Sequence, residues 1–493
     1  MNETILTWLV FILAFGGMVL VHEFGHYIVA RWAKVEVEEF GIGLPTPGAV
    51  TLWSNKGYFL LDDGGRIEIP ANFRLPVNWN DLIANQVKLT VDRVDDRLVM
   101  RSIEVVRPED ARRSASSRLE LDHIYVDQNG NVTQPREHEG QTDSRRVIKA
   151  GKTTGELQLM DVIAEVHPGT RFTLNWLPLG GFVRPKGEND PNVPGGLAAA
   201  SPWKRLAVLV AGPLMNLITA VIVFGIIINQ IGGIITTQPA NSGPTRLLVT
   251  SVVPGSPAAK GGFEVGDTIV RGAGRPIESQ EDLRLVVEEN VDQPVAFVVD
   301  RDGEQVELTA TPLMNQQESR PMIGVSFCTG CVFAPVNTIG ENISYSLRYT
   351  GSQIRALVTL PVKLLRGTAA PEEGRLIGLK GIFDIMRQSV SNDVEASQTP
   401  STPAAASGPL DKPVQTLFLI ASLSISLGLF NLFPFPALDG GRIIFVLPEL
   451  IFRRRVSPQL ENLVHGMGMA FLLLLMIYIN VMDFINPISV TMP

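Results

Sequence analysis

Long apolar stretches alternate with mixed ones along this chain, and that pattern sets the expected architecture. Residues 5–21 carry no charge, and residues 206–235, 414–438 and 466–482 are similarly apolar. Each is about the length a helix needs to cross the hydrocarbon of a bilayer, roughly 20 residues. From residue 45 to about 165 the chain is polar. Alternating runs such as Val87-Lys88-Leu89-Thr90-Val91 predict strands there, and Asp62-Asp63-Gly64-Gly65 and Asn129-Gly130 predict turns. A second strand pattern covers residues 247–312. Residues 343–390 mix apolar positions with Arg348, Arg355, Lys363 and Arg387, as amphipathic helices lying on a membrane or a neighbouring domain do. A Ser-, Thr-, Pro- and Ala-rich linker covers residues 395–413. The fold class expected is an α-helical polytopic membrane protein of about four transmembrane helices, with a mixed α+β module and a β-rich soluble insert.

The first apolar stretch differs from a signal peptide. Glu3 precedes it with no Lys or Arg, and His22, not a small-residue cleavage site, follows it. Basic residues then orient the spans. Arg31 and Lys34 follow the first, Arg184, Lys186, Lys204 and Arg205 precede the second, and Arg442 and Arg453 to Arg455 separate the third from the fourth. Those two loops are therefore expected in the cytoplasm, with both termini and the long loop between spans two and three outside. The net charge of −8 gives no basic face for nucleic acid. The two cysteines, Cys328 and Cys331, form C-x-x-C. No further zinc ligands are evident nearby, so a disulfide or two free thiols is expected.

His22-Glu23-Phe24-Gly25-His26 closes the first span as H-E-x-x-H. On a helix, positions i and i+4 share a face, so both imidazoles reach one zinc ion, and Glu23 can serve as general base toward a water there. Three ionisable groups at the end of an apolar helix need a reason, since each costs roughly 2.5–3.5 kcal/mol at membrane depth. A helix simply ending in water at Val21 fits poorly, because Tyr27-Ile28-Val29-Ala30 continues the apolar pattern. A catalytic zinc takes three protein ligands. Asp439, the one acid in Asn431-Leu432-Phe433-Pro434-Phe435-Pro436-Ala437-Leu438-Asp439-Gly440-Gly441, is the candidate third, against the plainer reading of an Asp-Gly turn in water. His123, His138 and His167 lack metal-type spacing and read as ordinary surface residues. Asp483, at the far end of the fourth span, has no assigned role and is expected to tolerate alanine.

H-E-F-G-H in the first span with N-x-x-P-x-P-x-L-D-G-G late in the chain resembles the site-2 protease family, most closely its bacterial branch with one PDZ module, the regulator-of-sigma-E protease type. Ala211-Gly212-Pro213-Leu214-Met215-Asn216 is similar to that family's A-G-P-x-x-N, and Leu177-Pro178-Leu179-Gly180-Gly181-Phe182-Val183 to its membrane-associated β-hairpin. More than a hundred residues here separate that strand from Gly41-Ile42-Gly43, its expected partner. The resemblance implies zinc held by His22, His26 and Asp439, Glu23 as base, and substrate contacts at Asn431 and Asn216. It also implies hydrolysis of peptide bonds in transmembrane protein substrates, such as an anti-sigma factor or a remnant signal peptide. Residues 249–259 and 261–269 resemble a bacterial PDZ domain, which grips an extended peptide or a C-terminus by β-augmentation. Gly324, within Met322-Ile323-Gly324-Val325, is the candidate gripping position.

The expected parts are a first transmembrane helix (1–36), a hairpin (37–50 and 166–190), a cytoplasmic insert (51–165) and a second transmembrane helix (203–235). A PDZ domain (246–327), interfacial helices (336–394), the linker (395–413), a third transmembrane helix (414–441) and a fourth (463–483) follow. Two rivals are a non-proteolytic, zinc-containing membrane PDZ scaffold, which would not need Glu23, and a metal transporter, which would explain neither the PDZ pattern nor the spacing.

Overall fold

A computed structural model of the protein describes residues 3–46, 48–62, 64–73, 82–83, 85–94, 97–105, 125–126, 132–133, 147–150, 156–237, 245–253, 255–301, 303–315, 320–368, 375–398 and 412–486. The Asn129-Gly130 turn, His123, His138 and residues 399–411 of the expected linker lie outside these. In chain order, helix α1 (Glu3–Trp32) precedes strands β1 (Val37–Leu44), β2 (Val50–Ser54), β3 (Gly57–Leu61), β4 (Arg66–Ile69), β5 (Gln86–Val94) and β6 (Arg97–Val105). A short pair, β7 (Tyr125–Val126) and β8 (Val132–Thr133), is followed by β9 (Val147–Ala150), β10 (Glu156–His167), β11 (Arg171–Leu174) and β12 (Leu177–Pro185). Helix α2 (Pro202–Ile231) leads to β13 (Gly233–Thr237), β14 (Leu247–Val252), α3 (Pro257–Lys260), β15 (Thr268–Gly272), β16 (Arg275–Pro276) and α4 (Gln280–Glu289). Then come β17 (Val295–Arg301), β18 (Glu304–Ala310), β19 (Leu313–Asn315), β20 (Arg320–Met322), β21 (Val325–Thr329) and β22 (Cys331–Pro335). Helices α5 (Ile339–Leu365), α6 (Leu379–Gln398), α7 (Gln415–Leu432), α8 (Asp439–Phe452) and α9 (Pro458–Ile485) complete the order. By length and apolar composition α1, α2, α7 and α9 can cross a membrane. The chain forms two compact units.

One unit comprises residues 15–212 and 439–463. Its four-stranded sheet has the order β12-β1-β11-β2, with β1 antiparallel to β12 and parallel to β11. The G-x-G strand therefore still pairs with the L-P-L-G-G strand, Gly41 opposite Phe182, despite the long insertion. A Cβ at position 41 would meet the Phe182 ring at 2.2 Å, so any larger residue there would have to displace that ring. α1 packs on this sheet through aromatic rings: Tyr27 lies 5.4 Å from Phe40 and 5.8 Å from Phe172 between centroids.

The insert is a closed barrel. β3-β4-β6-β5-β10 form a ring, because the long β10 pairs with β5 over Glu156–Val162 and with β3 over Ile163–His167. Only the β4–β6 contact in that ring is parallel. Alternate residues point inward, which is why the sequence alternates: Phe59, Leu61, Ile67, Val87, Leu89, Val91, Leu98 and Leu159 are buried in one core. Each such side chain contributes about 1.5–3 kcal/mol on burial, so the insert holds a core of its own.

The other unit comprises residues 1–14, 213–438 and 464–493. Its soluble part is a sheet ordered β18-β17-β15-β14-β21, with β16 on β15 and α4 held by a Ser279–Asp282 capping box. β13 pairs with β22, and a Cys328–Cys331 disulfide spans the turn from β21 to β22. α5 buries Ser346 and Thr350 but leaves Ile339, Ile343, Leu347 and Leu365 exposed, as an interfacial helix would. α6 is more embedded than its composition suggests. Met386 and Val390 pack with Phe11 of α1, and the Phe383 ring lies tilted against Trp8, 4.4 Å between centroids.

Two expectations need correction. The third span does not run through to Gly441. α7 stops at Leu432, Pro434 and Pro436 occupy the break, and Asp439 opens the separate helix α8 with Gly440 and Gly441 in its first turn. Asp483 is not an idle surface acid either. It is 2% exposed and accepts the backbone N–H groups of Gly378 (2.8 Å) and Gly381 (3.2 Å), so it caps α6 from a different helix. Asp483→Ala is expected to destabilise the protein by about 1–3 kcal/mol, since buried donors lose their acceptor. Thermal unfolding in detergent checks this, with Asp483→Asn, which keeps one acceptor oxygen, expected to be milder.

Candidate active site

The last turns of α1 present His22, Glu23 and His26. Their helical spacing alone aligns the two imidazoles; what they meet comes from elsewhere in the fold. Asp439, at the start of α8, places Oδ2 3.1 Å from His22 Nε2 and 3.4 Å from His26 Nε2, and the two Nε2 atoms are 3.2 Å apart. α8 is secured within the same unit by Arg205, which donates to Glu449 at 2.6 Å, and by an Arg442–Glu188 ion pair. His26 Nδ1 donates to the Val208 carbonyl of α2 at 2.7 Å. That bond selects the tautomer whose Nε2 lone pair faces the cluster.

These atoms fit zinc. Ligands about 2.0–2.1 Å from a tetrahedral ion lie roughly 3.3–3.4 Å from one another. The observed separations of 3.1, 3.2 and 3.4 Å are close to that triangle. Among the described residues it is the one group of three or more His, Cys, Asp or Glu side chains able to hold a metal ion. Space around it is tight. A Cβ at Gly212, one turn beyond Val208 on α2, would stand 2.3 Å from His26 Nε2 and 2.8 Å from His22 Nε2. Glu23 sits against β12, where its Oε2 accepts the Val183 N–H at 3.0 Å.

With this geometry in place, comparison with known proteins settles the family. The profile of peptidase family M50 matches residues 10–76 and 159–475, well over half of the chain. The chain belongs to peptidase family M50. The unmatched interval, 77–158, falls within the barrel insert. Zinc metalloprotease RasP of Oceanobacillus iheyensis is 26% identical over 96% of this chain and 97% of its own length. Metalloprotease MmpA of Caulobacter vibrioides is 30% identical, covering 63% of this chain and 81% of its own. Among solved structures, the PDZ domain of the SdrC-like protein of Listeria monocytogenes is similar to part of the chain, with 20% identity, 16% of this chain and 85% of that chain covered, and a TM-score of 0.16. This M50 peptidase is thus a zinc metalloprotease and a multi-pass membrane protein.

The structure brings His22, Glu23, His26 and Asp439 of the expected site residues together. Asn216, Asn431 and Gly324 belong to the other compact unit. Asn216 is fully buried in α2, its carbonyl accepting the Ser424 hydroxyl, and Asn431 lies half-buried in the last turn of α7. Gly324, at φ +83°, precedes β21, and its carbonyl accepts the Val253 N–H. Three contributors escaped the sequence reading: Gly212, and the backbone groups of Val208 and Val183. Gly212 stood inside the A-G-P-x-x-N pattern, but nothing local says that its missing side chain leaves room for two imidazoles. Gly212→Ala is expected to lower zinc affinity about tenfold or more by displacing both rings. The zinc content of the purified variant, measured against wild type, checks this.

Proposed function

We propose that this M50 peptidase cuts transmembrane protein substrates within the membrane, with His22, His26 and Asp439 holding the zinc and Glu23 as general base. The observation that carries the proposal is the convergence of three ligand atoms within 3.1–3.4 Å at the end of an apolar helix, with a fourth, acidic side chain beside them. When bound, zinc supplies Lewis acidity toward the scissile carbonyl and lowers the pKa of water. Glu23 takes the proton of the attacking water and delivers it to the leaving amine nitrogen. Val183 steers that carboxylate through its N–H. A helical substrate must unwind before its carbonyl is open to attack, since its backbone groups are already paired. β12 supports the capture of such an unwound segment. It is an edge strand, and the N–H it offers to Glu23 lies along it, so a peptide pairing there would run beside the base.

The soluble module of the other unit reads as a PDZ domain. Its β21 is a sheet edge directly preceded by Gly324, an arrangement suited to gripping an extended peptide or a C-terminus. The basic-residue pattern favours a cell-membrane location, with the zinc site near the cytoplasmic face and this module and both termini outside.

Glu23→Gln is expected to keep zinc and lose cleavage of a model transmembrane substrate by at least about a hundredfold. Asp439→Ala should lose zinc and activity together, with Asp439→Asn nearly as damaging. Wild-type turnover by Glu23→Gln, or full zinc in Asp439→Ala, would overturn the assignment. For orientation, a cysteine at Lys56 should be labelled only from the cytoplasm and one at Gln280 only from outside.

A further inference from the structure

Residues 433–438 join the end of α7 to Asp439, the first residue of α8. Pro434 and Pro436 have no N–H to give. Of the other donors in the segment, Phe433 N–H reaches the Phe430 carbonyl at 3.0 Å, Phe435 N–H the Phe433 carbonyl at 2.7 Å and Leu438 N–H the Phe435 carbonyl at 3.2 Å. These bonds are local and hold the segment only to itself and to the last turn of α7. Ala437 is different. Its N–H donates to Nδ1 of His465, on α9, at 2.9 Å. A backbone N–H only donates, so Nδ1 is the acceptor of the ring. Ala437 also stands at φ +76°, in the left-handed region that a residue with a Cβ rarely enters.

α9 is shaped to receive this segment. His465, Gly468 and Phe471 follow one another at a three-residue spacing, which puts them on one face of the helix. Each meets one residue of the segment. His465 meets Ala437, Gly468 meets Pro436, and Phe471 lies 5.8 Å from Phe435 between ring centroids. Gly468 is buried, and a Cβ there would stand 2.4 Å from Pro436 Cβ and 2.8 Å from its carbonyl carbon. The two apolar contacts bring the helix close but have little directionality. The His465 bond is directional, and it fixes the Ala437 peptide in its unusual conformation. Strained backbone of this kind persists only where its surroundings over-determine it.

We propose that His465 is a positioning residue for Asp439. The proposal rests on Asp439 as a zinc ligand. Two residues of chain span at most about 7 Å, so the place where Ala437 is held limits where Asp439 can stand. With His465 present, Ala437 is locked and α8 begins with its first carboxylate directed at the two imidazoles. With the acceptor removed, the half-buried Ala437 N–H is left unpaired and the residue relaxes toward negative φ. The chain leading into Asp439 then takes a new direction, and the carboxylate leaves its place. His22 and His26, carried by α1, stay where they are.

The test measures the zinc affinity of the full chain, purified in detergent, by competition with a chelator, alongside thermal unfolding of the metal-free protein. His465→Asn keeps an acceptor oxygen on the γ carbon, where Nδ1 stood. His465→Gln moves that oxygen one bond further out, and His465→Ala has none. His465→Ala and His465→Gln should bind zinc about tenfold more weakly or worse, whereas His465→Asn should stay within about threefold of wild type. Asp483→Ala, which loosens the far end of the same helix, should unfold at a lower temperature with its zinc affinity unchanged. In an Asp439→Ala background, His465→Gln should cost no further affinity, because the side chain it positions is gone. Wild-type affinity in His465→Ala, no difference between the Asn and Gln variants, a further loss in the double variant, or an equal loss in Asp483→Ala would overturn the proposal. Asp439→Ala alone separates the two levels. If it binds zinc as tightly as wild type, the ligand assignment fails and the positioning role with it. If it loses zinc while His465→Ala and His465→Gln do not, the positioning role alone fails.

Discussion

Two imidazole nitrogens and a carboxylate oxygen crowded to within 3.1–3.4 Å of each other set the terms for the rest of this fold. Lone pairs so close repel unless a cation or shared protons lie between them, and the end of an apolar helix offers little water to screen them. The surrounding structure accepts that cost and organises around it. α2 lends a carbonyl to fix the His26 tautomer and a glycine to leave room, while α8 begins at Asp439 because two prolines end α7 before it. The Arg205–Glu449 bond and the Arg442–Glu188 pair then anchor α8. A zinc ion turns the same crowding into a stable arrangement, as the ligand triangle already has its dimensions.

The insertion of a whole barrel between β1 and β12 would be expected to disrupt the strand pair that steers Glu23. It does not, because the insertion is carried on its own stem. β2 and β11 continue the sheet outward from β1, and the barrel closes its own hydrogen-bonding ring and core beyond them. A domain whose ends lie close together can be inserted without separating the strands that flank it. The barrel still touches the catalytic sheet through the buried His167 at the end of β10, whose ring contacts Glu36 and lies beside Lys186.

Much of this site was legible in the sequence where the controlling geometry is local. The spacing of His22 and His26 is a property of one helix, and Asp439 stood out as the single acid in an apolar stretch. The strand alternation of residues 87–91 likewise reports a face buried in the barrel. What remained hidden depends on partners distant along the chain. His167 read as a surface residue because nothing near it in sequence announces Glu36 or Lys186. Asp483 read as inert because its partners, Gly378 and Gly381, lie on another helix. Gly212 shows the same limit, since the value of an absent side chain appears only once the two histidines stand opposite it.

The central claim is that one zinc ion is held by two imidazoles and a carboxylate drawn from opposite ends of the chain. Zinc-edge X-ray absorption of the purified protein tests it directly. The account predicts nitrogen and oxygen scatterers at about 2.0–2.1 Å, outer-shell features of two imidazole rings, and no sulfur. A sulfur shell at about 2.3 Å would place the metal on Cys328 and Cys331 instead and contradict the account.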